Sequence, residues 1–182
     1  MKNFLFILII FFFTTQLNAN NKQNIINNLK NTKNINFEFE QNINQKIEKG
    51  NCVVEYPKKI FCEYSGRNNK ILVSNGRSLV IKTKASYYRY PLEKTPLNLI
   101  LDKNYLINKI VNLEERIIDE SYINYTIREN DIEINIFFDD RTFNLIGWQT
   151  KDIYQNLNIT FLSSIKINEI FNNDLFQLPT QN

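Results

Sequence analysis

The sequence predicts a mainly β protein, an antiparallel barrel or half-barrel of about eleven short strands. Three observations carry this. Short runs of alternating or continuous apolar residues recur at a spacing of about 8–12 residues, each bounded by turn-forming clusters. Two adjacent hairpins are written into residues 50–82, one turning at Pro57-Lys58-Lys59 and one at Asn75-Gly76. Asn-Gly between apolar runs is a strong hairpin signal, because a tight turn needs φ > 0 there. Only one sizeable helical insertion interrupts the strands. A sheet this long must curl, and a curled sheet has a concave face.

The chain opens with Met1-Lys2-Asn3, an apolar run over 4–13, and a polar stretch reaching Ala19. A basic start, a short apolar core and a small residue before polar sequence predict a secretory signal peptide over 1–19, cleaved near Ala19. The run is short of the about 20 residues that a membrane-spanning helix needs. Residues 20–182 then read as a single domain, exported and placed in the periplasm. The formal net charge of +3 is small and the charges read as dispersed, which argues against a nucleic-acid partner.

Residues 22–32 put Ile25, Ile26 and Leu29 at helical spacing. Residues 35–44 alternate, with Ile35, Phe37, Phe39 and Gln41 on one face. The next two strands, 46–56 and 60–64, carry Cys52 and Cys62, the only cysteines. If the turn centres on Pro57, the two lie opposite each other; if it centres on Lys58, Cys52 faces Tyr64 and the cysteines are diagonal neighbours. In either register Cys52, Val54, Tyr56, Ile60, Cys62 and Tyr64 share one face. An exported chain favours a Cys52–Cys62 disulfide over two buried thiols. Strands follow at 70–74, 78–82 and 86–90. Thr95 then reads as the N-cap and Pro96 as the first residue of a short helix over 96–102, with a second helix over 103–112. Strands resume over 114–119, 122–128, 132–138, 143–150 and 156–167, and a tail over 168–179 docks as a short turn.

The predicted concave face comprises Phe37, Phe39, Val54, Tyr56, Ile60, Tyr64, Ile71, Val73, Leu79 and Ile81. Leu79 and Ile81 assume a three-residue loop, Asn75-Gly76-Arg77; a two-residue loop substitutes Val80. Such a set is ordinarily core. With only a few short helical pieces to fill a wide sheet, either the barrel is tight or it encloses a ligand. The chain has no histidine and four scattered glycines, which excludes Ser-His and Cys-His catalysis and a phosphate-cradling loop. Asp139-Asp140 and Glu114-Glu115 read as solvated turn and strand-end carboxylates. The reading is a non-enzyme without metal or cofactor.

Several ordered short matches make the chain resemble the outer-membrane lipoprotein carrier family. They are Phe39-Glu40-Gln41, Gly50 followed by an apolar strand ending in Pro57, the 60–64 return strand, the run 71–79 and Thr95-Pro96-Leu97. The resemblance implies an incomplete antiparallel β-barrel with a helical lid. It implies a monomeric periplasmic chaperone whose concave face holds the acyl chains of lipoproteins bound for the outer membrane. The lid would include Leu97, Ile100 and Leu101 together with the N-terminal helix, with Ile60 and Ile100 at the barrel–lid contact. The implied partners are acylated lipoproteins, an inner-membrane lipoprotein-releasing ABC transporter and an outer-membrane acceptor. Many family members carry a lid-latching arginine where this chain has Tyr56, whose hydroxyl could donate one such bond. Cys62 stands where the family often has a large aromatic. The alternative reading is a periplasmic half-barrel that binds a lipoprotein or protein partner without transport.

Overall fold

A computed structural model describes residues 17–181 apart from 120, 130–131 and 152–154, with the backbone alone described for 17–20 and 173. The predicted leader therefore lies outside the described residues except for its last three.

After helix α1 (Leu17–Asn31) come strands β1 (Asn34–Ile43), β2 (Lys46–Glu55), β3 (Lys59–Tyr64), β4 (Ile71–Asn75), β5 (Ser78–Lys82) and β6 (Tyr87–Pro91). A 3-10 turn and helices α2 (Leu97–Ile100) and α3 (Lys103–Asn112) follow. The chain then makes β7 (Arg116–Ile118), β8 (Tyr122–Glu129), β9 (Ile132–Asp139), β10 (Leu145–Lys151) and β11 (Leu157–Ile167). The strands form one antiparallel sheet in the order β6-β5-β4-β3-β2-β1-β11-β10-β9-β8-β7. Neither β6 nor β7 has a second strand neighbour, so the sheet curls without closing. This is the incomplete barrel with a helical lid.

The first half of the sheet is a meander, each hairpin short enough to pair sequential strands. Cys52 pairs with Cys62, so the β2–β3 turn centres on Pro57. The two cysteines are disulfide-bonded, with Cα atoms 4.1 Å apart. Gly50, between Phe39 of β1 and Tyr64 of β3, cannot be replaced freely: a Cβ there would sit 2.0 Å from the Glu63 carbonyl oxygen and 2.8 Å from the Phe39 ring. The β4–β5 loop is two residues, Gly76-Arg77, rather than three; Gly76 takes φ 92°. Asn75 supports it by accepting from the Arg77 and Ser78 amides.

The two halves join where β1 pairs with β11. Alternation then defines the inner face: Ile35, Phe37 and Phe39 on β1, and Ile134, Ile136 and Phe138 on β9. These pack with α1, α2 and α3 in one core cluster. The tail docks a 3-10 turn (Asn173–Phe176) beside β3 and β4, burying Phe176. No helix among the described residues is long and apolar enough to cross a membrane.

Candidate functional site

The inner face of the curled sheet gathers apolar side chains from sequence-distant strands into one core cluster, and its composition follows from strand register. Phe37 and Phe39 of β1 share the inner side of the sheet with Cys52, Val54, Ile60 and Cys62 of β2 and β3. Phe37 meets Trp148 of β10 edge-on at 6.4 Å, and Phe39 meets Tyr64 at 4.9 Å. Such aromatic contacts fix the floor more firmly than area alone.

On β4 the placement differs from expectation. Ile60 pairs with Ser74 and Cys62 with Leu72, so Leu72 and Ser74 face inward, while Ile71 and Val73 face outward. The expectation rested on a parity that the loop over 65–70 does not fix. The shorter Gly76-Arg77 loop then pairs Ser74 with Leu79 and Leu72 with Ile81. Leu79 and Ile81 thus do lie on the inner side, because the two register differences cancel. Val73 and Val80 pair with each other on the outer side, both buried there.

The β8–β11 half supplies Ile123, Tyr125, Ile127, Trp148 and Leu162, beyond the predicted set. Ile123, Tyr125 and Ile127 follow from period-2 alternation in 122–128, whereas Trp148 comes after a register shift between Leu145 and Gly147 of β10 that no local pattern announces. Tyr125 is fully buried and its hydroxyl donates to Glu115 at 3.0 Å; burial, then that bond, push its phenol up. One end of the floor is polar: the Tyr64 hydroxyl donates to Gln41 at 3.4 Å, and Gln41 donates to Thr160 at 3.1 Å. The Lys70 ammonium lies 3.9 Å from the Tyr64 ring and pairs with Glu48. Burial raises Glu48, but the Lys70 and Lys46 ammoniums outweigh it and hold the carboxyl below its ordinary value.

Three helices cover the face. Ile25, Ile26 and Leu29 come from α1, Ile100 and Leu101 from α2 and its end, and Leu106 and Ile110 from α3; all are buried in the core cluster. Leu97 is partly buried against it. Ile60 and Ile100 belong to the same cluster. The face is filled in this state. A shallow cleft among Leu29, Ile35, Phe143 and Leu145 has a volume of about 260 Å³ including its open mouth and encloses little more than a water.

The lid is tied down by polar contacts at identifiable points. Lys58, in the β2–β3 turn, donates its backbone N–H to the Leu101 carbonyl at 2.8 Å, and its ammonium pairs with Asp102 at 3.4 Å. Asp102 also caps α3, accepting from the Tyr105 amide at 3.1 Å. Ser74 secures the turn from below by donating to the Lys58 carbonyl at 2.9 Å. Tyr56 is not the latch: its ring is buried, its hydroxyl makes no hydrogen bond among the described residues, and Lys103 sits 5.9 Å over the ring. Nor does the Thr95 hydroxyl cap α2; it turns back to donate to the Leu92 carbonyl at 2.8 Å, leaving its own carbonyl to accept from Asn98. Lys103 reaches the Thr32 carbonyl at 2.7 Å and Lys22 the Leu113 carbonyl at 2.7 Å, pinning α1 along α3 at both ends. The Tyr105 hydroxyl and the Lys109 ammonium converge on Glu129 and fasten α3 to β8.

The inner face is thus a mainly apolar surface under a lid held by a few polar ties. Comparison with known proteins agrees with this architecture. The family model described as outer membrane lipoprotein carrier protein LolA matches residues 30–179. No curated protein sequence matches the chain. Among solved structures, an uncharacterized conserved protein from Thermus thermophilus superposes with a TM-score of 0.52 at 6% identity, covering 90% of this chain and 95% of that one. A LolA superfamily protein from Nitrosomonas europaea gives 0.43 at 8% identity, covering 86% and 97%. The Mycobacterium tuberculosis lipoprotein LppX gives 0.46 at 12%, covering 87% and 99%. The match over most of its length, on a fold that the geometry reaches separately, places the chain in the outer membrane lipoprotein carrier protein LolA family.

Proposed function

We propose that this protein is a periplasmic chaperone that shelters the acyl chains of lipoproteins on its inner face and carries them from the inner to the outer membrane. The observation that carries the reading is the filled inner face: the sheet's concave surface is mainly apolar, polar at Ser74 and at the Gln41–Thr160 end, and what covers it is three helices held by a few polar ties. Removing one methylene from water contributes about 0.8 kcal/mol, so an acyl chain of about sixteen carbons offsets the exposure of about five Leu or Ile side chains. Lid and ligand are therefore matched competitors for one surface. A single chain suffices to shift part of the lid, and a triacylated cargo to shift it fully. Cavity residues in this reading are Phe37, Phe39, Val54, Tyr56, Ile60, Tyr64, Leu79 and Ile81, with Leu72 in place of Ile71 and Val73. The lid comprises Leu97, Ile100 and Leu101 together with α1. In the same reading residues 1–19 are the export signal, and a releasing transporter and an outer-membrane acceptor are the partners before and after transit.

Native mass spectrometry of the purified protein with a triacylated lipoprotein and with its unacylated form tests this. The expected result is a complex with the acylated form alone, weakened at least about tenfold by Ile60→Asp. Equal binding of both forms would mean that the protein part is recognised and that the inner face is ordinary core.

A further inference from the structure

The charges of this chain are not dispersed, as the sequence first suggested, but sorted by sheet edge. Residues 67–94, which contain β4 to β6, carry seven cations against one carboxylate, Glu93. Residues 113–140, which contain β7 to β9, carry nine carboxylates, seven of them among the described residues, against two cations. One open edge of the sheet is therefore basic and the other acidic. Arg77, Lys84, Arg89 and Lys94 are exposed and form no ion pair among the described residues; Arg89 is steadied only by a bond to the Ser78 hydroxyl at 3.1 Å. Between these cations β6 presents Tyr87, Tyr88 and Tyr90, with Tyr88 53% and Tyr90 44% exposed. Pairing with Ile81 and Leu79 puts Tyr88 and Tyr90 on the inner side, so the apolar floor runs to the edge without a break.

We propose that the β6 edge docks on an anionic lipid bilayer. Tyrosine rings favour the headgroup level, where one end of the side chain is apolar and the other wet. Cations within a Debye length of an anionic leaflet are attracted to it even when the whole protein is near neutral. Strand addition by a protein is the poorer fit: β6 is five residues long and ends at Pro91, which has no N–H to offer. Docking in this way brings the mouth of the inner face to the lipid. That consequence rests on the carrier reading; the docking itself does not.

Sedimentation of the cargo-free protein, purified from cells with its N-terminus defined by mass spectrometry, tests the proposal. Vesicles of phosphatidylcholine with about one-third phosphatidylglycerol are compared with phosphatidylcholine alone. The expected result is binding to the anionic vesicles only, lost on raising salt. Arg77→Glu/Arg89→Glu should lower it at least about thirtyfold, near fivefold per cation. Lys151→Glu/Lys166→Glu, a matched change on β10 and β11, should leave it within about twofold. Tyr88→Ser/Tyr90→Ser weakens binding without altering its salt dependence, which keeps the test open should the arginine pair misfold. Binding that ignores phosphatidylglycerol, or that falls equally with the matched pair, overturns the proposal. So does an edge that leaves vesicles alone yet captures an acidic protein. Acyl-lipoprotein binding in detergent by the arginine pair is expected to be normal, so failure here is separable from failure of the carrier reading.

Discussion

At Lys58 one residue holds turn and lid together, through its amide to Leu101 and its ammonium to Asp102. Both pair members are partly exposed, so the ion pair alone is worth under about 1 kcal/mol. Asp102 matters more, because it also caps α3. Asp102→Ala is expected to cost about 1–2 kcal/mol in urea denaturation and to speed amide exchange in α2 and α3 before the sheet. A variant with unchanged exchange would mean that apolar packing alone holds the lid. Gly50→Ala meets backbone rather than a yielding side chain, at the Glu63 carbonyl. It is expected to lower the urea midpoint by the equivalent of about 2 kcal/mol or more, and a smaller effect would mean that β2 and β3 shift apart easily.

At the scale of elements, much was legible and its limits are specific. The β1 alternation and the shared face of Cys52 and Cys62 followed from period two, because side chains on a strand have only two choices of face; their direct pairing was one of two registers left open, and the turn at Pro57 selects it. Ile71 and Val73 were misplaced because a polar loop over 65–70 carries no parity information, and one residue of slip exchanges the faces. The latch was illegible for a different reason. Lys58 contributes a backbone amide to the lid, and no residue type announces where its amide points. The inner residues of β8 and β9 were legible in alternation, but nothing local shows that both halves of the chain curve round one interior. The β2–β3 disulfide closes a short loop, so reduction is expected to cost about 2–3 kcal/mol of stability, read as a lower urea midpoint with dithiothreitol. Intact mass before and after alkylation checks that the bond is present.

The tie from α3 to β8 predicts a pH effect with a definite sign. Hydrogen bonds from Lys109 and then from Tyr105 hold the Glu129 carboxyl below its ordinary value. A depressed carboxylate contributes fully above its unfolded pKa, about 4.3, and the contribution is lost as pH falls through the lower folded value. Amide exchange in α3, corrected for its intrinsic pH dependence, is therefore expected to rise below about pH 4, and Glu129→Gln should show fast exchange already at neutral pH. Exchange in the variant that matches wild type would remove Glu129 from the lid.

For the whole molecule, the account is a competition between lid and acyl chain for one apolar surface. The sheet supplies rigidity, since β1 pairs with β2 and β11 along its length and joins the two halves. The helices are short and polar-tied, so they are the parts able to move. A lipopeptide with a photoreactive diazirine on its acyl chain, cross-linked to the protein and mapped by mass spectrometry, tests this most directly. The account predicts adducts on inward residues such as Phe37, Val54, Leu72 and Leu79 and on Ile100 of the lid, with none on Val73 or Val80. Adducts concentrated on the outer face, or spread equally over both, would contradict it.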